Sequence, residues 1–203
     1  MEKGGLREAL GGAGVSREGV LGFADEMRVG LRGTVRRVWG RRGVKVRQRV
    51  QTVYEWMYLF CVVDGRRGKL LWRWIESMRS LHIAEAVNGL RQRTDVEALV
   101  WDGERGHRSR LVEVVGMPTV VQPPYSPELN PAERVFEEIR RWVEGRVYGS
   151  MEEKVEAVNS YLSRLESDPD RVRSLPGWDW IEEAVQGLPS LSTPTCFSAF
   201  SPS

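Results

Sequence analysis

Between residues 123 and 131 the chain reads PPYSPELNP, four prolines in nine residues. Each proline fixes its own φ and drives the residue before it out of the helical region, so this stretch is predicted to be an extended, stiff connection. A helix then starts sharply. Asn130 is a good N-cap, Pro131 suits the first helical position, and Glu133 falls three residues after the cap. Ala132, Val135, Phe136, Ile139, Trp142 and Val143 follow as one apolar stripe at helical spacing. The connection therefore delivers Glu133 to the first turn of a helix that must bury its other face.

The segments before it carry strand periodicity. Residues 20–24 are a short apolar run ending in Asp25-Glu26, predicted as a buried strand with acids at its carboxyl end. Residues 28–34 and 44–50 alternate apolar and polar side chains around glycines, as half-buried antiparallel strands do. Residues 54–63 are strongly β-prone, and Asp64-Gly65-Arg66-Arg67-Gly68 supplies a turn before Lys69–Ile75 resumes the pattern. Residues 82–93 place Ile83, Ala86, Val87 and Leu90 on one helical stripe; Ala98–Trp101 is a short strand that again ends in an acid, Asp102. Residues 108–115 are expected as a helix with Leu111, Val112 and Val115 inward, before a further strand at Thr119–Val121. Strand, helix, strand implies a parallel unit beside the antiparallel meander. A second start signal, Ser150-Met151-Glu152-Glu153, opens the last long helix over Val155, Val158, Leu162 and Leu165, and a short helix is expected from about 176 to Gln186. The fold class is α/β, a mixed central sheet flanked by helices.

A length of 203 residues suits one principal domain at roughly 150 residues per domain. Residues 1–19, rich in glycine, are expected to be a linker or a truncated remnant; residues 20–186 are the folded domain, and residues 187–203, biased to Ser, Pro and Thr, a disordered tail. Two cysteines make no disulfide framework, the apolar run 56–63 is far short of a membrane span, and the N-terminus lacks the apolar core of a signal peptide. These features predict a cytoplasmic protein without a membrane partner.

The formal charge is only +2, so attraction to nucleic acid requires a local patch. Residues 28–49 provide one: Arg28, Arg32, Arg36, Arg37, Arg41, Arg42, Lys45, Arg47 and Arg49, with no acid among them. A solvated hairpin face would look the same residue by residue, but the cluster as a whole suits DNA phosphates. Trp39 in its midst has a hairpin-packing reading beside that of a base-stacking side chain.

With only His82 and His107 in the chain, chemistry rests on carboxylates. Asp25, Asp102 and Glu133 stand out by their settings. Each also has an ordinary reading: an acid at a strand end, an Asp-Gly turn, and a capping-box residue favoured by the helix dipole. If the two strands are neighbours, the carboxylates converge, and converging carboxylates stay ionised only with cations nearby. Hard oxygen ligands with open water positions suit a pair of Mg²⁺ or Mn²⁺ ions, which is the apparatus of phosphoryl transfer.

The stretches FADEMRVGL, RRVWGRRG, YEWMYLFCVV, LVWDGERGHRS and, above all, QPPYSPELNPAERVFEEIRRW resemble the DDE transposases of bacterial insertion sequences in the mariner-related branch. The resemblance covers about residues 20–158. It implies a ribonuclease-H-like fold and a DDE acid triad that holds two Mg²⁺ or Mn²⁺ ions, falling on Asp25, Asp102 and Glu133. The activity implied is cleavage of DNA and strand transfer by the freed 3′-hydroxyl at transposon ends. His107 matches a histidine after the second acid and is expected to have a positioning role near the scissile phosphate, outside the triad. The partners implied are transposon-end and target DNA, with a homodimer forming on the DNA and the protein associated with the nucleoid. Such relatives carry an N-terminal helix-turn-helix region that nothing before Val20 is expected to form. The chain thus reads as the catalytic half of a split or truncated transposase, with a separate helix-turn-helix protein as a further partner. The alternative from another class is a catalytically inactive DNA-binding or assembly remnant of a decayed insertion sequence.

Overall fold

A computed structural model of the chain describes residues 3–33, 39–103, 107, 109–122, 130–175 and 179–190. Five strands form one sheet in the order β3-β2-β1-β4-β5: β1 (Leu21–Gly30), β2 (Trp56–Asp64), β3 (Lys69–Ile75), β4 (Ala98–Trp101) and β5 (Thr119–Val121). The first three pair antiparallel, and β4 and β5 add on in parallel, with α2 (Ser80–Arg91) and α3 (Arg110–Val115) as crossovers. This is the mixed sheet that the strand periodicity predicts.

Period-two alternation sends the sheet's apolar side chains to opposite layers. Met27, Val29, Leu59 and Cys61 pack with Val135, Phe136 and Ile139 of α4 (Pro131–Val143) and Val158 and Leu162 of α5 (Met151–Glu166). Ala24, Phe60, Val62, Leu99 and Trp101 pack with Ile83, Val87 and Leu90 of α2. Toward β5, a third cluster joins Leu21, Phe23, Val100 and Val120 to α1 (Lys3–Gly12) and α7 (Asp179–Gln186).

Four expectations are revised. Residues 21–30 are one strand, so Asp25 lies in its middle, not at its end: β2 pairs with β1 as far as Gly30↔Trp56 and carries it past the acids. Residues 44–50 are not a strand; residues 39–55 lie outside regular elements, with Trp39, Val44, Val46, Val53 and Tyr54 exposed. Alternation makes a strand only where a layer covers its apolar face, and here Val44 is 59% exposed. Residues 3–12, expected within a linker, form α1 with Leu6 and Leu10 fully buried against the sheet end; Leu188, in the expected tail, is buried with them. Two leucines at i, i+4 among glycines are a weak periodic signal, and only the uncovered end of the sheet makes them core. Finally α3 is six residues long, capped by Ser109 and ended by Gly116 at φ 70°, so it buries Val112 while Leu111 stays 50% exposed. The expected stiff connection lies over 123–129, outside the described residues, as does the tail beyond residue 190.

At the β2–β3 turn, Gly68 takes φ +69°, and a Cβ there would meet the backbone of Pro169, the first residue of α6 (Pro169–Arg173). Gly145 has a similar φ of +74° but open space around it. Urea denaturation should show Gly145→Ala losing about 1–2 kcal/mol for the left-handed backbone alone. Gly68→Ala should lose roughly a further 1–3 kcal/mol for the collision. Equal losses would mean that the contact with α6 tolerates the methyl group.

Candidate active site

The site begins with the parallel ladder. β1 and β4 pair as Leu21↔Ala98, Gly22↔Leu99 and Phe23↔Val100. Continued by two residues, that register sets Asp25 level with Asp102, which follows the last residue of β4. Glu133 comes to the same region from the helical layer. Asn130 accepts a hydrogen bond from the Ala132 N–H through Oδ1 at 3.0 Å, and its Nδ2 donates to the Ala24 carbonyl at 2.9 Å and to Asp25 Oδ2 at 3.3 Å. The helix cap is therefore also the bond that joins α4 to β1 beside Asp25. Glu133, in the first turn of α4, pairs with Arg140 at 3.6 Å.

Asp25 has its pKa raised to about 7, first by burial and then by the negative charges of Glu26, Glu133 and Asp102. The Glu26 N–H, which donates to Asp25 Oδ1 at 2.8 Å, opposes the shift without cancelling it. Both other expected acids are thus close enough to be felt at Asp25. Cys61, opposite Asp25 on β2, is buried and free; burial first, and then the Asp25 charge, push its thiol far up, so it is no nucleophile.

Glu26 points into the other layer, where sequence reading assigned it no role. Its carboxylate oxygens lie 3.1 and 3.2 Å from His107 Nε2, and His107 Nδ1 lies 2.8 Å from Asp102 Oδ1. The imidazole stacks on Trp101 with centroids 4.3 Å apart and planes 9° from parallel. Burial alone would lower the His107 pKa, but the hydrogen bonds to Asp102 and Glu26 outweigh it and hold the group up to about 10. The imidazole is wholly buried between two carboxylates, one of them the expected acid Asp102. The signal that would have found Glu26 is its place in β1: a strand covered on both faces leaves an acid no solvent, so it needs a buried cation.

Of the nine expected DNA-binding residues, Arg28 lies over the Trp56 ring at 5.8 Å, and Arg32 over the Tyr54 ring at 4.6 Å, also donating to its hydroxyl. Arg41, Arg42, Lys45, Arg47 and Arg49 are exposed along residues 39–55, with Trp39 fully exposed among them. Arg36 and Arg37 lie outside the described residues.

Among the described residues no group of three or more His, Cys, Asp and Glu side chains is gathered closely enough to hold a metal ion as it stands. The donor chemistry nevertheless fits one. Burial first, and then the charges of Glu26, Glu133 and Asp102, disfavour the ionised form of Asp25, and a hard divalent cation held by its oxygens would offset both. Among the described residues no helix is long and apolar enough to cross a membrane.

The DDE superfamily endonuclease family matches residues 20–154. No curated protein matches the sequence. Among solved structures, the chain is similar to the Mos1 transposase paired-end complex with left transposon end, at 14% identity and a TM-score of 0.62. Similar too are the Mos1 strand transfer complex, at 13% and 0.64, and the catalytic domain of Mos1 mariner transposase, at 12% and 0.57. The matches cover 91% of this chain and 60% of the chain in the two complexes, but 93% of the isolated catalytic domain. The likeness makes the fold ribonuclease-H-like, as the sequence resemblance implied.

Removing the Asn130 amide should cost more than a cap. Asn130→Ala loses a helix cap worth about 1 kcal/mol. It also removes the buried hydrogen bond to the Ala24 carbonyl, for about 0.5–1.5 kcal/mol more. Ser150→Ala, which removes the cap of α5 at Glu153 N, should cost only the first amount. Comparable midpoints for the two variants in thermal or urea unfolding would show that the bond across to β1 contributes nothing.

Proposed function

The chain belongs to the DDE superfamily endonucleases, and from that premise we propose that it is the catalytic domain of a mariner-like transposase of a bacterial insertion sequence, cleaving DNA at transposon ends and joining the freed 3′-hydroxyl to target DNA. The single observation that carries the reading is the placement of buried Asp25, two residues beyond the last rung that pairs β1 with β4 and bonded to the helix cap before Glu133, where the charges of Glu133 and Asp102 both reach it. In this reading residues 20–186 are the catalytic domain, completed by the α1 face that covers the end of its sheet.

Asp25, Asp102 and Glu133 are the residues that would hold two Mg²⁺ or Mn²⁺ ions. Such ions, when bound, lower the pKa of an attacking hydroxyl and neutralise the charge on the phosphate oxygens. The chain's own groups bind, orient and exclude. Asn130 keeps the Asp25 carboxylate turned toward the start of α4. The exposed bases of residues 39–55, with Arg28 and Arg32, track DNA phosphates and set the strand's position without reading its sequence. The chemistry needs no protein nucleophile: water displaces one oxygen of a phosphodiester to leave a 3′-hydroxyl and a 5′-phosphate, and that hydroxyl then displaces an oxygen of the target phosphodiester, its proton passing to solvent. Two copies acting on DNA, and a separate helix-turn-helix protein that recognises the ends, complete the proposed assembly.

The purified chain, incubated with linear and nicked DNA, should cleave only when Mg²⁺ or Mn²⁺ is added. Asp102→Asn should reduce the rate by about 10²–10³-fold, the usual cost of removing one group that stabilises charge at a transferring phosphoryl, while DNA binding persists. DNA binding with no metal-dependent cleavage would instead support the inactive remnant.

The basic segment has its own test. If Arg47 and Arg49 each contact a phosphate of duplex DNA, replacing either with Ala lowers the slope of log affinity against log salt by about 0.9. An unchanged slope in filter-binding titrations would remove these residues from the interface.

A further inference from the structure

We propose that Glu26 and His107 are a positioning pair that fixes the Asp102 carboxylate in the orientation metal binding requires. The proposal rests on the reading of Asp25, Asp102 and Glu133 as the acids that hold divalent ions. Asp102 stands one residue beyond β4 with a side chain 55% exposed, and His107 reaches it from the buried side. Its Nδ1 lies 2.8 Å from Asp102 Oδ1 and 3.3 Å from the backbone carbonyl of the same residue, so one ring nitrogen faces both the side chain and the main chain of Asp102.

The imidazole is itself held still. One face lies flat on Trp101, and Nε2 meets both oxygens of Glu26. Glu26 in turn is fixed by β1, paired with Phe60 of β2, and its N–H donates to Asp25. One continuous set of bonds therefore runs from the strand that carries the first acid, through a buried imidazole, to the exposed second acid. A carboxylate and an imidazole buried at 1% and 0% exposure are costly to desolvate, and joining them to a half-exposed acid is more than core packing needs. An acid oriented in advance does not lose rotamer freedom each time an ion arrives.

The test is Mn²⁺ binding to the full chain without DNA, measured by isothermal titration calorimetry on wild type, Asp102→Asn, His107→Gln, Glu26→Leu and Glu26→Gln, with folding checked by thermal unfolding. His107→Gln and Glu26→Leu should each weaken Mn²⁺ binding by about 10–100-fold, as removal of groups that orient metal ligands does elsewhere. Glu26→Gln, whose amide oxygen still accepts from the imidazole, should restore most of the affinity. Folded His107→Gln or Glu26→Leu protein that binds Mn²⁺ as tightly as wild type overturns the proposal, and if one of the two does not fold the other decides. Wild type that binds no better than Asp102→Asn removes the acidic-site reading itself. That result differs from the case in which only Asp102→Asn loses binding and the positioning variants do not.

Discussion

The side-chain amide of Asn130 satisfies the first turn of α4 through its oxygen and reaches across to the backbone of β1 through its nitrogen. Most of what gives this structure a site depends on that pair of bonds. The helix brings its apolar stripe down on Met27, Val29 and Cys61, a contact that by itself leaves rotation and sliding free within the tolerance of packed side chains. The amide removes that freedom at the end that matters. It is buried, and a buried polar group without partners is costly, so the helix start is held where the Ala24 carbonyl can be met.

Two adjacent acids on β1 show how a sheet divides chemistry between its faces. Asp25 shares its side with α4 and Glu133 and is forced toward neutrality by burial and like charge, while Glu26 shares the other with the α2 layer and finds the imidazole of His107. Glu26 is linked through His107 to Asp102. One of the chain's two histidines thus lies buried between two carboxylates.

Net charge says almost nothing about this protein, whereas local charge says a good deal. The formal +2 conceals residues 39–55, where Arg and Lys stand exposed beside a fully exposed Trp39. Exposed apolar and basic side chains interleaved on a segment without regular structure are poorly suited to a core and well suited to a polyanion with stackable bases.

The strands β3, β4 and β5 and the start of α4 were legible because each rests on local rules: turn residues, short apolar runs, and an N-cap before a proline. The motif around Asn130 was legible as a cap, and its family resemblance pointed to Asp25, Asp102 and Glu133 together. Nothing local, however, distinguishes residues 44–50 from a strand or α1 from a linker, because both depend on whether a layer lies over them. The pairing of Glu26 with His107 was equally out of reach, since the two are 81 positions apart and meet only through the parallel register of β1 and β4. Sequence determined which side chains are able to cap, turn, bury or carry charge; the tertiary structure decided which of them meet, because burial and electrostatic coupling belong to pairs of residues that chain order does not bring together.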